Sequence, residues 1–304
     1  MVSVLLPLPF DDYLAPTSHR HMTIEHVSDT ARWVAVYRAM ETDRPDAHFR
    51  DPWARRLAGA QGQAIVDSMP NGKRMAWPMI VRTAVFDEII LECVRSRGVD
   101  LVVNLAAGLD TRPWRLDLPH GLRWVDVDHA NMVDYKRDAM RDEKPHCRYE
   151  AIGADLTDVK RRDAILSQMG RESQRALVVS EGLLIYLTPE DVGSLATAQH
   201  AQPAFRWWLL DLASPMLIKR MQKSWGKKVA AGNAPFRFAP AESTKFFNPF
   251  GWREAQFRST MEDARRLKRE MPGMWFWRLL TPLYPKKMVE QMKRFSGAVL
   301  LERT

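Results

Sequence analysis

The chain has 304 residues with 46% hydrophobic and 27% charged content, which suits one α/β domain with insertions or two smaller units and excludes collagen-like and disordered classes. Forty-five Lys plus Arg against 37 Asp plus Glu give +8, a balance that admits nucleic acid, an anionic membrane surface or an acidic substrate as partner and says nothing of fold. Two cysteines, Cys93 and Cys147, exclude a disulfide framework or thiolate zinc site and make a reducing cytoplasm the expected compartment, while no run reaches the ~18 apolar residues of a membrane span.

MVSVLLPLPF at the amino terminus lacks a basic start, is broken by Pro7 and Pro9 and leads into Asp11 and Asp12, so residues 1–27 read as a non-targeting arm. His19, His21 and His26 within it lack a carboxylate or cysteine at ligand spacing, and no metal site is expected. A helix is predicted behind Ser28 or Asp29, with Ala31, Val34 and Arg38 at helical spacing. A short helix begins at Asp51-Pro52, the aspartate serving as cap, and stops near Gly59. A longer one runs from about Met79 to Ser96 with the stripe Val81, Val85, Ile89 and Cys93, and Gly98 ends it.

Beyond Gly98 strands and helices alternate. DLVVNL (100–105), RWVDVD (123–128), CRYEAIGADL, ALVVS (176–180) and FRWWLLDLA (205–213) read as strands, with helices near 130–140, 158–169 and from Thr188. That order implies a mostly parallel, doubly wound sheet with helices on both faces. Residues 214–260 read as irregular, basic and aromatic, and SGAVLLER (296–303) as a late edge strand. The expected organisation is one Rossmann-like domain over 28–304, with a cofactor-binding core at 79–212 and an acceptor-side insertion at about 213–295.

Four strand ends carry chemistry. The small-residue turn in VVNLAAGLDTRPWRL lets a ligand approach the backbone, but Ala106, Gly108 and Thr111 occupy the places of the G-x-G-x-x-G glycines, which argues against NAD and FAD. Asp128, twenty residues past Gly108, is placed to accept bonds from two ribose hydroxyls or else to cap the next helix. Asp155 in ADL can read an exocyclic amine while Leu156 packs on a purine; a turn aspartate is the plainer alternative. Glu181 ends the fourth strand, where an unpaired acid is costly and a cationic ligand is a sensible partner. Together they describe a nucleoside pocket.

TARWVAVYRAMETDRPDAHFRDPWA, RTAVFDE, NLAAGLDTRPWRL, WVDVDHANMVDYK, ADLTD and SEGLLIYLTPEDV, over residues 28–200, resemble in order the blocks of the leucine carboxyl methyltransferase-like class I methyltransferases. The resemblance implies a seven-stranded Rossmann-like fold, S-adenosyl-L-methionine as cofactor and S-adenosyl-L-homocysteine as product. It implies that Arg82 pairs with the methionine carboxylate, that Ala106 and Gly108 form the turn beneath it, and that Asp128 holds the ribose. Asp155 and Leu156 would flank the adenine, and Glu181 would lie near the amino-acid part. Two departures stand out: Ala106 replaces the usual first glycine, and the tryptophan common after the third-strand Asp-Leu is absent. Nothing before about Met22 has a counterpart.

Several other features have plainer roles. Asn248-Pro249-Phe250 is similar to the signature of amino-methylating nucleic-acid enzymes, but it does not follow the fourth strand. The run Lys219, Arg220, Lys223, Lys227, Lys228 is a solvated helix face or an anionic-partner surface. Trp207, Trp208, Trp225, Phe236, Phe238, Phe246, Phe247 and Trp252 belong mainly to core or lid, a minority lining an acceptor pocket. The leading expectation is O-methylation of a carboxylate or hydroxyl of a small, acidic or aromatic acceptor, with no histidine nominated as base and Tyr186 as a candidate to orient the acceptor. A protein carboxyl or RNA methyltransferase and a non-catalytic nucleotide-binding domain are the alternatives. Excess base after residue 213 favours an acidic acceptor over nucleic acid, and oligomeric state stays open.

Overall fold

A computed structural model describes residues 28–304 except 70, 232–234, 272 and 275–283, with the side chains of 28–29 and 224–231 also outside the description. The amino-terminal arm, its histidines, and the side chains of Trp225, Lys227 and Lys228 therefore lie outside the described residues.

Three helices precede the sheet: α1 (Ser28–Thr42), α2 (Ala54–Ser68) and α3 (Ala76–Ser96). The predicted break at Gly59 is present as a kink within α2, where Gly59 takes φ 61° and the helix resumes beyond it. Asp51 precedes the N-cap of α2, Trp53, whose amide its Oδ1 accepts at 3.2 Å. It accepts Arg38 Nε at 2.8 Å and the Thr111 hydroxyl at 2.7 Å, tying α1 to the turn after the first strand. Gly98 follows α3 at φ 68°, the left-handed turn that lets the chain reverse into the sheet.

The alternation continues with β1 (Leu101–Leu105), α4 (Arg112–Arg115), β2 (Arg123–Asp128), α5 (Ala130–Met140), β3 (Arg148–Gly153), α6 (Val159–Arg171), β4 (Ala176–Ser180), α7 (Pro189–His200) and β5 (Phe205–Ala213). Thr188 caps α7 in a reciprocal box with Asp191, and Pro189 occupies the first turn. The remainder comprises α8 (Pro215–Ala231), a 3₁₀ segment Ser243–Phe250, β6 (Trp252–Ser259), α9 (Thr260–Arg266), α10 (Lys286–Lys293) and β7 (Ser296–Arg303).

The seven strands form one sheet in the order β3-β2-β1-β4-β5-β7-β6, parallel except that β7 runs against both neighbours. The expected mostly parallel Rossmann-like α/β sheet is thus present. Alternate residues feed opposite cores, as the period of two requires. Val102, Trp124, Leu177, Leu209 and Leu300 pack on the stripe Val81, Val85, Ile89 and Cys93 of α3. Val103, Val125, Val178, Leu210 and Val299 meet Leu166 and Met169 of α6 and Val192 and Leu195 of α7.

Two expectations need correction. β7 is not an edge strand but lies between β5 and β6, with Val299, Leu300 and Leu301 fully buried; an unbroken apolar run is what a strand covered on both faces requires. Residues 214–260 are not irregular either. They hold α8 and the true edge strand β6, whose alternation is interrupted by a register shift between Glu254 and Gln256.

Candidate functional site

The carboxyl ends of β1, β2, β3, β4 and β5 open into a cavity of about 620 Å³, walled on its other side by α1, the start of α3, and parts of 217–237, 258–271 and 295–298. Arg82, Ala106, Gly108, Asp128, Asp155, Leu156 and Glu181 all line it. Residues spread over a hundred positions thus converge because a parallel sheet delivers every strand end to the same edge.

At the β1 turn, Ala106 and Gly108 both adopt φ 52°. This left-handed conformation costs a non-glycine residue, and Ala106 bears that cost at the place where the resemblance leads one to expect glycine. A Cβ on Gly108 would lie 3.1 Å from the Ala31 Cβ, so the missing side chain is what lets α1 close over the turn. Asp128 spans the gap from β2, with Oδ2 accepting the Gly108 amide at 2.6 Å and Oδ1 the His129 amide at 2.7 Å. It does not cap α5, whose N-cap His129 makes no side-chain cap bond. Each carboxylate oxygen keeps a second lone pair, and a vicinal diol can use both. Burial raises the Asp128 pKa above the ordinary value, and the two amides only partly offset it.

Asp155 combines its two readings. It lines the cavity and also accepts the Thr157 amide and hydroxyl on Oδ1, which hold its pKa below the usual range and leave Oδ2 without a protein hydrogen bond among the described residues. Around it the wall consists of His129, Met132, Ala154, Leu156 and Thr157, aliphatic groups and an imidazole with no tryptophan among them.

Within the chain Glu181 is paired with two arginines, Arg82 Nε at 2.9 Å and Arg112 Nη1 at 2.7 Å. Burial alone would raise it, but Arg112 and Arg82 outweigh burial and keep it ionised. Arg112 also donates to Asp110 and to Asp87, each at 2.7 Å, and Arg115 grips Asp87 with both terminal nitrogens. Arg82 continues the chain to Asp211 at 3.2 Å, and Asp211 accepts the Gly182 amide at 2.6 Å. An ion network therefore forms one wall of the cavity. Its members Asp87, Asp110, Arg112, Arg115 and Asp211 escaped the sequence reading, although Asp211 lies near the carboxyl end of β5 and Glu181 just past that of β4.

The opposite half is of another kind. Trp33, Tyr37, Trp77, Met221, Phe236 and Phe295 line it together with Arg220, Arg237 and Arg258. Tyr186 sits between the halves, its ring centroid 5.9 Å from that of Phe236 and its hydroxyl pKa pushed up by burial against a lowering influence of Arg82. Of the aromatics singled out earlier, Phe236 lines the cavity. Trp208, Phe238, Phe246, Phe247 and Trp252 stack edge-to-face in the core behind the sheet. Asn248-Pro249-Phe250 lies in the 3₁₀ segment, away from the cavity wall.

Known proteins resemble this chain in sequence and fold. A Streptomyces avermitilis protein named for S-adenosyl-L-methionine-dependent methyltransferase activity is 34% identical over 234 residues, covering 73% of this chain and 80% of its own. A similarly named Frankia alni protein is 31% identical over 242 residues, covering 75% and 83%. The fold is that of a solved DUF574-family protein from Streptomyces avermitilis, with TM-score 0.58, 13% identity and coverage of 90% and 97%. The sequence pattern of leucine carboxyl methyltransferases matches residues 31–199, more than half of the chain, and the chain belongs to that family.

Proposed function

We propose that this protein is an S-adenosylmethionine-dependent O-methyltransferase whose acceptor is a small molecule carrying a carboxylate. Methyl transfer follows from the family, and the relatives are named for dependence on S-adenosylmethionine. The cavity suits that cofactor. Asp128 offers two open lone pairs to a ribose, the Ala106–Gly108 turn keeps side chains clear, and Arg82 offers a guanidinium to a carboxylate. When bound, the cofactor supplies a methyl group already activated by its sulfonium.

The division of the wall carries the choice of oxygen. Every acidic residue of the cavity stands at a strand end or in the β1 turn, whereas the acceptor half is apolar and aromatic with three arginines. The only histidine in the described wall is His129, beside Asp128 on the ribose side. An ionised carboxylate needs no base to attack an activated methyl group, and apolar walls and arginines suffice to orient it. Alignment is then the enzyme's main contribution, with Tyr186 placed to touch the acceptor.

Transfer of labelled methyl to a panel of aromatic and aliphatic carboxylates, phenols, RNA and protein extract tests this. The expected product is a methyl ester that releases labelled methanol in mild alkali. An alkali-stable product, or label in RNA or protein alone, refutes the carboxylate assignment.

A further inference from the structure

We infer that Asp211 is a positioning residue for the amino-acid end of the cofactor, acting through Arg82 and Gly182; the inference rests on S-adenosylmethionine being the ligand of the cavity. Asp211 lies near the carboxyl end of β5, opposite Ala298 of β7, and lines the cavity. One of its oxygens accepts the Gly182 amide at 2.6 Å and the other accepts Arg82 Nη1 at 3.2 Å. Glu181 takes the neighbouring Nε at 2.9 Å. The guanidinium is thus held along two adjoining edges, and Nη2 makes no protein hydrogen bond among the described residues.

Gly182 supplies the floor beneath this fork. It adopts φ 68°, and a Cβ there would lie 3.2 Å from Nη1 and 3.5 Å from Nη2. A single carboxylate therefore fixes both the floor and the fork that rests on it. Without Asp211, a guanidinium whose side chain is only 16% exposed would lose a partner, and ordering it would become part of the cost of binding. Ligand groups that Arg82 receives should suffer, whereas groups received by Asp128 and Asp155 on other strands should not.

Calorimetric titration with two probes separates these outcomes. S-adenosylhomocysteine carries the amino-acid end, and 5′-methylthioadenosine shares the nucleoside and the sulfur but lacks that end. Asp211→Asn retains an acceptor for the Gly182 amide while removing the charge facing Arg82. It should weaken S-adenosylhomocysteine by about tenfold or more. Methylthioadenosine should change by less than about twofold, and the effect of Asp211→Asn should vanish when Arg82→Ala is already present. Equal loss of both ligands, as a misfolded or merely structural variant would give, overturns the inference, as does unchanged affinity for both or full additivity with Arg82→Ala. Wild-type protein that binds neither nucleoside would instead refute the cofactor reading, taking this inference with it.

Discussion

Asp128 reaches from the end of β2 to the amide of Gly108 at 2.6 Å, so one carboxylate both closes the β1 turn and presents its remaining lone pairs to the cavity. Asp128→Ala removes a charged acceptor, and S-adenosylhomocysteine affinity should fall by about 2–3 kcal/mol, roughly 30- to 150-fold. Because burial raises the Asp128 pKa, protonation should set in at a higher pH than for an ordinary aspartate. Wild-type affinity measured across mildly acidic pH should decline as Asp128 takes up its proton, and Asp128→Ala should lack that decline.

Ala106 holds φ 52° without being glycine. Left-handed backbone costs an alanine ~1–2 kcal/mol, partly offset by the extra freedom glycine has in the unfolded chain. Ala106→Gly should therefore stabilise the protein by about 0.5–1 kcal/mol, visible as a rise of roughly 1–3 °C in melting temperature. Affinity for S-adenosylhomocysteine should be unchanged or slightly improved. A lower melting temperature would mean that the alanine methyl makes contacts worth more than its strain.

Asp110 and Glu181 set the acid limit of the site. Burial would raise both, but Arg112, Lys136 and Arg115 hold Asp110 far below 3.8, and Arg112 and Arg82 hold Glu181 below 4.5. Groups depressed in the folded state stabilise it in full above their unfolded values, and that contribution is lost as the pH falls through the folded ones. The melting temperature should drop steeply below about pH 4. Asp110→Asn should lower the neutral plateau and flatten this acid slope.

Glu41 on α1 receives Arg269 on both carboxylate oxygens, each at 2.9 Å, and the two side chains are 0% and 6% exposed. The pair fastens the chain beyond α9 to the first helix. Glu41→Ala removes the buried carboxylate from Arg269, leaving it Asp46 and backbone carbonyls, and should cost about 2–4 kcal/mol in denaturant unfolding. Arg269→Met should cost at least as much, because it leaves the Glu41 carboxylate, 0% exposed, without its two-point guanidinium partner.

Much of this site could be read before any coordinates. Strand ends at Ala106, Asp128, Asp155 and Glu181 share an edge because parallel strands all point one way, a rule that needs only their order in the chain. Partners were harder to read. Glu181 is answered by Arg82 and Arg112, from a helix and a turn far away in sequence, and local spacing carries no record of that encounter. Asp211 was accessible by the rule applied to Glu181, but FRWWLLDLA reads first as core. β6 stayed hidden because its bulge breaks the alternation, and β7 was misplaced because edge and interior differ in what covers a strand, which SGAVLLER does not state.

The place of β7 between β5 and β6 also orders events during synthesis. Residues 252–259 hydrogen-bond to the sheet only through 296–303, so β6 emerges more than thirty residues before the strand that can receive it. Until then β5 presents a bare, hydrophobic edge to other nascent chains, which is where chaperone protection would matter most. A ribosome stalled short of residue 296 would leave five paired strands, a nearly complete row of strand-end acids and no finished sheet to hold them.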